Sequence, residues 1–365
     1  MALLKDLYSP QFYHQLSGLL VRTVPGFDKD RFMKQIFSPG WEQKELKERM
    51  RHTSQTLHHF LPARFENAAS ILMETVRELQ EAGTPGALEY MFLPDYIEHY
   101  GINDLSTAAD AIEMVTQFVS CEFAVRPFLL RYGKEMMDRM VAWSLHPDHR
   151  VRRLASEGSR PRLPWAVALP HLKKDPSPTL PILENLKNDP HQWVRRSVAN
   201  HLNDISRDHP AIVLRIARDW KGISRETDAI LRHACRTLLK KGDVETLQHF
   251  GLEDHENIHV TQFRLESTTV QVGDTLRFSF GLHNRDEEAR TVRMEYGIYY
   301  LRGKGQYNRK VFKISERSIA GGEQLQIQRG QSFRPITTRR FYPGTQAISI
   351  IINGKEKVKK EFTLL

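Results

Sequence analysis

The feature that most restricts how this chain can fold is an internal repeat. Residues 146–158, HPDHRVRRLASEG, superpose on residues 189–201, DPHQWVRRSVANH, with a shift of 43. A weaker echo, TDAILRHACRTLL at 227–239, follows after a further 37. A period near 40 is the mark of HEAT-type units, in which two helices bury their apolar stripe against the next pair. Helical spacing of apolar residues also runs over 60–79, 123–130 and 136–145. Pro and Gly punctuate it at Pro25-Gly26, Pro39-Gly40, Pro85-Gly86, Pro147, Pro190 and Pro210. The expectation over residues 1–254 is a right-handed α-solenoid of HEAT-like repeats, although the first 120 residues carry no visible copy.

Near residue 255 the period changes from helical to alternating. Seven segments, at 260–266, 275–284, 291–301, 309–316, 323–333, 346–354 and 357–365, read as strands separated by turn residues. Seven short strands in about 110 residues predict an immunoglobulin-like β-sandwich over 255–365. Neither cysteine, Cys121 nor Cys235, falls in it, so the inter-sheet disulfide of antibody domains is absent. Two distant cysteines exclude a disulfide-rich scaffold and point to a cytoplasmic protein. There is no run of 18 apolar residues and no apolar signal core behind MALLKDLYSP, so neither a membrane span nor a secretory leader is expected.

Charge is unevenly spread. The chain of 365 residues has 53 Lys and Arg against 44 Asp and Glu, a net of +9. Residues 256–365 hold 19 and 11 of these, a net of +8; the rest hold 34 and 33, a net of +1. Within that balanced region, residues 146–196 carry ten basic and five acidic side chains. Two basic patches on an otherwise neutral protein read as contact surfaces for an anionic partner.

Three stretches bear possible chemistry. In 148–158, Arg150, Arg153 and Glu157 share one helix face; in the second copy Trp193, Arg196 and Asn200 take the same face, with Asp204 one turn on. Such positions line up along one surface of a solenoid and would meet phosphates there; an ordinary i,i+4 pair of Arg153 with Glu157 is the plain alternative. In SCEFAVRPF, Glu122 and Arg126 are again i,i+4, and Pro127 moves Glu122 to a helix start or the loop before it. Trp165 follows the stiff basic run Arg160-Pro161-Arg162-Leu163-Pro164, as a stacking platform or as packing for the next helix. The HExxH match at His255–His259 needs a helix to bring both imidazoles to one metal; here it runs into a strand, and no metal is expected. There is no phosphate-cradling Gly-rich loop, CxxC pair or nucleophile elbow.

The segments SCEFAVRPFL, HPDHRVRRLASEGSRPRLPWA and DPHQWVRRSVANHLNDISRDHP resemble the bacterial AlkC family, relatives of AlkD, and the resemblance extends over essentially the whole chain. Those proteins are DNA glycosylases of HEAT-like repeats that excise cationic alkylated bases; the AlkC branch adds an immunoglobulin-like domain. The resemblance implies Glu122, Glu157 and Trp165 as catalytic residues; the chemistry makes Glu157 the main stabiliser and water-positioning base with Glu122 supporting, roles that the two could exchange. It implies 3-methylcytosine and 3-methyladenine as bases, reached without deep base flipping, and no cofactor. The partner is then double-stranded DNA carrying alkylated bases, bound by a monomer associated with the bacterial nucleoid.

The phosphate clamp is expected from Arg126, Arg150, Arg152, Arg153, Arg160, Arg162, Lys173, Lys174, Trp193, Arg195, Arg196, Asn200 and Asp204, with Arg339 and Arg340 of the sandwich holding DNA from the opposite side. Two other readings are a non-catalytic scaffold for bent or damaged DNA and a protein–protein adaptor. For the scaffold, substituting both carboxylates changes only the affinity, which rises; the adaptor has no salt-dependent affinity for DNA.

Overall fold

The computed structural model describes residues 3–303, 305–335 and 340–365. The chain divides into two compact units, Met1–Ala234 and Cys235–Leu365, a division that falls ahead of the expected boundary at 254/255.

The first unit is helical throughout. Its helices are α1 (Pro10–Thr23), α2 (Lys29–Ile36), α3 (Leu46–His58), α4 (Phe65–Glu81), α5 (Phe92–Tyr100), α6 (Leu105–Thr116), α7 (Val125–Tyr132), α8 (Lys134–Trp143), α9 (His149–Gly158), α10 (Pro170–Lys174), α11 (Leu180–Leu186), α12 (Gln192–Ile205), α13 (Pro210–Trp220) and α14 (Arg225–Ala234). Polar caps start many of them: Ser9, Asp28, Asp104 and Asp148 each accept a backbone N–H of the first turn. The repeat copies become α9 and α12, which pack side by side, and α12 packs in turn on α14. Val151 and Ala155 of α9 and their equivalents Val194 and Val198 of α12 are buried, as the shift of 43 requires. The N-terminal helices, which show no copy in sequence, close around aromatic rings instead. Tyr13 meets Phe37 and Trp41 edge-on at 5.6 Å, and Phe32 lies against Phe60. No helix among the described residues is long and apolar enough to cross a membrane.

Among its described residues the second unit contains α15 (Arg236–Lys241), α16 (Val244–His249) and eight strands: β1 (Ile258–Leu265), β2 (Thr269–Val270), β3 (Thr275–Asn284), β4 (Arg290–Leu301), β5 (Tyr307–Ile319), β6 (Gln324–Ser332), β7 (Gly344–Ile352) and β8 (Lys355–Leu364). They form two sheets, β1-β3-β6 and β2-β8-β7-β4-β5. All seven expected strands are present. The eighth, β2, has two residues and pairs in parallel with β8. Alternation sends Leu276, Phe278, Phe280 and Leu282 of β3 into one core with Val292, Met294, Tyr296 and Ile298 of β4.

The region 235–254 joins this unit through backbone-level contacts. Gly242 and Gly354 approach so closely that a Cβ on Gly242 would lie 2.9 Å from the Gly354 carbonyl oxygen. Asn353 donates to the Glu253 carbonyl at 2.7 Å, and Lys355 and Lys357 pair with Asp254. His259 lies in β1, so the HExxH stretch is not helical. Both cysteines are buried free thiols.

Candidate active site

The C-terminal end of α9 is buried, and a helix end leaves its last four carbonyls without intrahelical partners. Here each finds one. Ser159 Oγ donates to the Ala155 carbonyl at 2.6 Å, and His201 Nδ1 to that of Ser156 at 2.9 Å. The Arg160 N–H reaches Glu157 O at 3.3 Å, and Arg126 Nη1 reaches Gly158 O at 2.9 Å. Gly158 is required for this approach, because a Cβ there would stand 2.5 Å from a methyl carbon of Val125 on α7. Glu157 is thereby fixed on the last turn of a helix whose end cannot fray.

Glu157 is 6 % exposed. Its Oε1 accepts from Arg160 Nη1 at 2.5 Å and its Oε2 from Ser197 Oγ at 2.6 Å. Arg160 spans two carboxylates, since its Nε donates to Asp204 at 2.9 Å. Burial pushes the Asp204 carboxyl up, against the pull of Arg160. The cluster Glu157, Arg160 and Asp204 therefore carries a formal charge of one minus when both carboxylates are ionised.

Glu122 lies in the turn before α7, as Pro127 implied. Its partner is not Arg126. Its Oε2 forms an ion pair with Arg153 of α9 at 2.8 Å and accepts from Ser120 Oγ at 2.8 Å, and Arg153 also donates to Ser120. Oε1 of Glu122 has no partner among the described residues. Arg153 and Glu157 are i,i+4 on α9, so Glu157 and the partner of Glu122 are neighbours on one helix face. The expected Arg153–Glu157 pair does not form; each takes a partner from outside the helix.

Arg126 is not a phosphate ligand. It is fully buried, and its guanidinium donates to the carbonyls of Val167 at 2.6 Å, Gly158 at 2.9 Å and Arg160 at 2.8 Å. Burial, with Arg160 nearby, lowers its pKa to about 10. Arg152 and Arg195 are likewise diverted. Each reaches back to the two carbonyls at i−6 and i−5: His146 and Pro147 for one, Asp189 and Pro190 for the other. Arg152 also pairs with Asp189 at 2.6 Å. The repeat thus conserves an arginine between its copies in order to tie each helix to the turn before it. Arg162 is held by Asp208, and Asn200 accepts from His233 at 3.0 Å.

Asp204 is buried and does not reach a surface. The exposed cations of the expected clamp are Arg150, Lys174 and Arg196, with Lys173 half-exposed. Trp193 is 60 % exposed beside the stacked rings of His149 and His191. Arg340 is exposed, with its guanidinium 5.3 Å from the Tyr342 ring centre; Arg339 lies outside the described residues.

Trp165 does not pack a helix. It is 78 % exposed, at a turn after Pro164, with φ of 65°. Its carbonyl accepts from Lys47 Nζ of α3 at 3.1 Å, and the same ammonium sits 5.8 Å from the ring centre of Phe123, next to Glu122.

Sequence reading missed Ser197 and His201. The signal was available: they stand where the first copy has Leu154 and Gly158, so polar groups replace apolar or small ones on a buried face. His201 is fully buried and burial lowers its pKa to about 3, with Arg160 adding to the effect. Its imidazole is therefore neutral and donates through Nδ1. The unfolded chain protonates this group near 6.5 and the folded one near 3, so the unfolded state binds more protons between these values. Stability from this residue is complete above about 6.5 and is lost as pH falls towards 3. His201→Asn retains a donor for Ser156 without a titrating ring. Urea melts at stepped pH are expected to show a slope for wild type steeper by up to about 1.4 kcal/mol per pH unit than for the variant; equal slopes would refute the assignment.

Comparison with known proteins places these features in a lineage. The family described as "Uncharacterised protein YhaZ, C-terminal Ig-like domain" matches residues 259–365. The Uncharacterized protein YhaZ of Bacillus subtilis (strain 168) is 43% identical over 363 residues, 99% of each chain. The structure of the Pseudomonas fluorescens alkylpurine DNA glycosylase AlkC, bound to DNA containing an abasic site analog, superposes with a TM-score of 0.93 at 33% identity, covering 100% of both chains. Two-domain architecture and sequence agree from end to end, and the chain belongs to the AlkC family.

Proposed function

We propose that this protein is a DNA glycosylase that hydrolyses the N-glycosidic bond of cationic alkylated bases, 3-methyladenine and 3-methylcytosine, in double-stranded DNA and so initiates base excision repair. The observation that carries the reading is the two carboxylates tied to α9: Glu157 on its last turn, and Glu122 of the turn before α7, paired with Arg153 one turn earlier. The glycosylase activity of the Pseudomonas AlkC supports it.

A base alkylated at N3 already carries positive charge. When the C1′–N bond breaks, its electron pair neutralises the ring, so the leaving base needs no proton. Positive charge moves to the deoxyribose, and a fixed carboxylate beside the sugar favours that state over the ground state. Glu157, held by Arg160 and Ser197 and surrounded by little water, is the stabiliser. The unengaged Oε1 of Glu122 orients the water whose oxygen bonds to C1′, and takes its proton. Trp165 offers an indole face to the cationic base. The exposed Arg150, Arg196, Lys173 and Lys174, together with the basic sandwich and its Arg339 and Arg340, meet phosphates. Selectivity then follows from the lability of cationic lesions, with no deep pocket for a flipped base.

The test is single-turnover release of base from a duplex containing one 3-methyladenine or 3-methylcytosine. Wild type is expected to release the base and leave an abasic site. Glu122→Gln is expected to slow release by roughly ten- to a hundredfold, a general-base contribution. Tight, salt-dependent binding with no release of either base by wild type would replace the enzyme by a DNA-binding scaffold.

A further inference from the structure

Three residues in the described chain other than glycine have positive φ: Trp165, Gln262 and Asn353. Two have local explanations. Gln262 sits where the register between β1 and β3 shifts, and Asn353 opens the Asn-Gly turn between β7 and β8. Trp165 has none in its own sequence. It follows Pro164 at a turn, in the place that ordinarily takes glycine because a Cβ is strained there. A large, exposed aromatic residue keeps such a backbone only if something outside the turn holds it.

The supports come from two other helices. Arg126 of α7 holds the carbonyls of Arg160 and Val167, on either side of Trp165. Neither bond touches Trp165 itself. Lys47 of α3 does: its ammonium donates to the Trp165 carbonyl at 3.1 Å. The lysine is in turn held over the Phe123 ring, and it faces Glu98 of α5, whose carboxyl burial pushes up to about 7, with Asp95 acting the same way and Arg51 and Lys47 against it. Lys47 thus joins the residue beside Glu122 to the backbone of Trp165, across 118 positions of sequence.

We propose that Lys47 is a positioning residue: seated over Phe123 and donating to the Trp165 carbonyl, it fixes the left-handed turn and aims the indole for the glycosylase reaction. This rests on the reading above, since it assigns the indole a place in that reaction. Lys47 is exposed, so its replacement leaves no buried group behind, and Lys47→Met keeps the aliphatic stem while removing the donor.

The experiment uses full-length protein labelled with 5-fluorotryptophan. The chain has five tryptophans, and Trp165→Phe identifies the resonance of interest. In Lys47→Met the Trp165 resonance is expected to shift or broaden while the other four stay in place. Single-turnover release at saturating enzyme is expected to fall about tenfold, the scale of a displaced catalytic group. Lys47→Arg restores most of the rate, and adding Lys47→Met to Trp165→Ala slows release no further. An unmoved Trp165 resonance would overturn the proposal. So would a variant whose only defect is weaker binding with a shallower salt dependence, which makes Lys47 a phosphate ligand. If wild type releases no base, the glycosylase reading falls, and the fluorine resonance still decides whether Lys47 holds Trp165.

Discussion

Glu157→Gln is expected to slow single-turnover base release by about a thousandfold, the upper range for removing one fixed electrostatic stabiliser. The substitution keeps shape and an acceptor oxygen. Its amide NH2 would face either Arg160 or Ser197, and the fully engaged surroundings leave the side chain no other place to turn. What is lost is the charge beside the sugar. DNA affinity at matched salt is expected to hold or rise, because a negative charge near the phosphates is removed. Base release at the wild-type rate would show that Glu157 takes no part in the chemistry. A loss of rate that tracks a loss of affinity would make it a binding residue instead.

The second large effect is on folding. Arg126→Met is expected to destabilise the helical unit by about 4 kcal/mol, because the carbonyls of Gly158 and Arg160 lose their donor in a buried place, at about 1–3 kcal/mol each, and the part-buried bond to the Val167 carbonyl goes with them. Arg126→Lys restores little, since one ammonium cannot replace a planar fork that reaches carbonyls on both sides of Trp165. Urea unfolding followed by helical circular dichroism reads the shift in midpoint. If stability is unchanged and only the salt dependence of DNA binding weakens, Arg126 is the phosphate contact its sequence context implied.

The two predictions also mark what sequence could and could not reveal. The shift of 43 identified α9 and α12 because a repeat must present the same apolar residues to its neighbours. Alternation located the seven longer strands for a similar reason, since each buries every second residue. The location of Glu122 before a helix was legible from Pro127. The destinations of the arginines were not. Arg126, Arg152 and Arg195 read as surface charge because no local pattern separates a guanidinium facing solvent from one donating to carbonyls of a turn. That distinction depends on where loops fold back, which is a tertiary property.

The strand β2 escaped because two residues have no period, and its partner β8 lies more than ninety positions on. The N-terminal helices carry no copy of the repeat in sequence, and their core is built from aromatic rings, whose contacts follow ring geometry more than spacing.

The satisfied carbonyls at the end of α9 have a further consequence. The peptide dipoles of a helix add up to roughly half a negative charge at its C-terminus, and Glu157 sits on that last turn. A carboxylate there opposes the dipole, so the residue is held against its helix's preference by Arg160 and Ser197. On the proposed chemistry the same arrangement is useful. Part of the negative potential facing the cationic sugar comes from peptide groups that never gain or lose a proton.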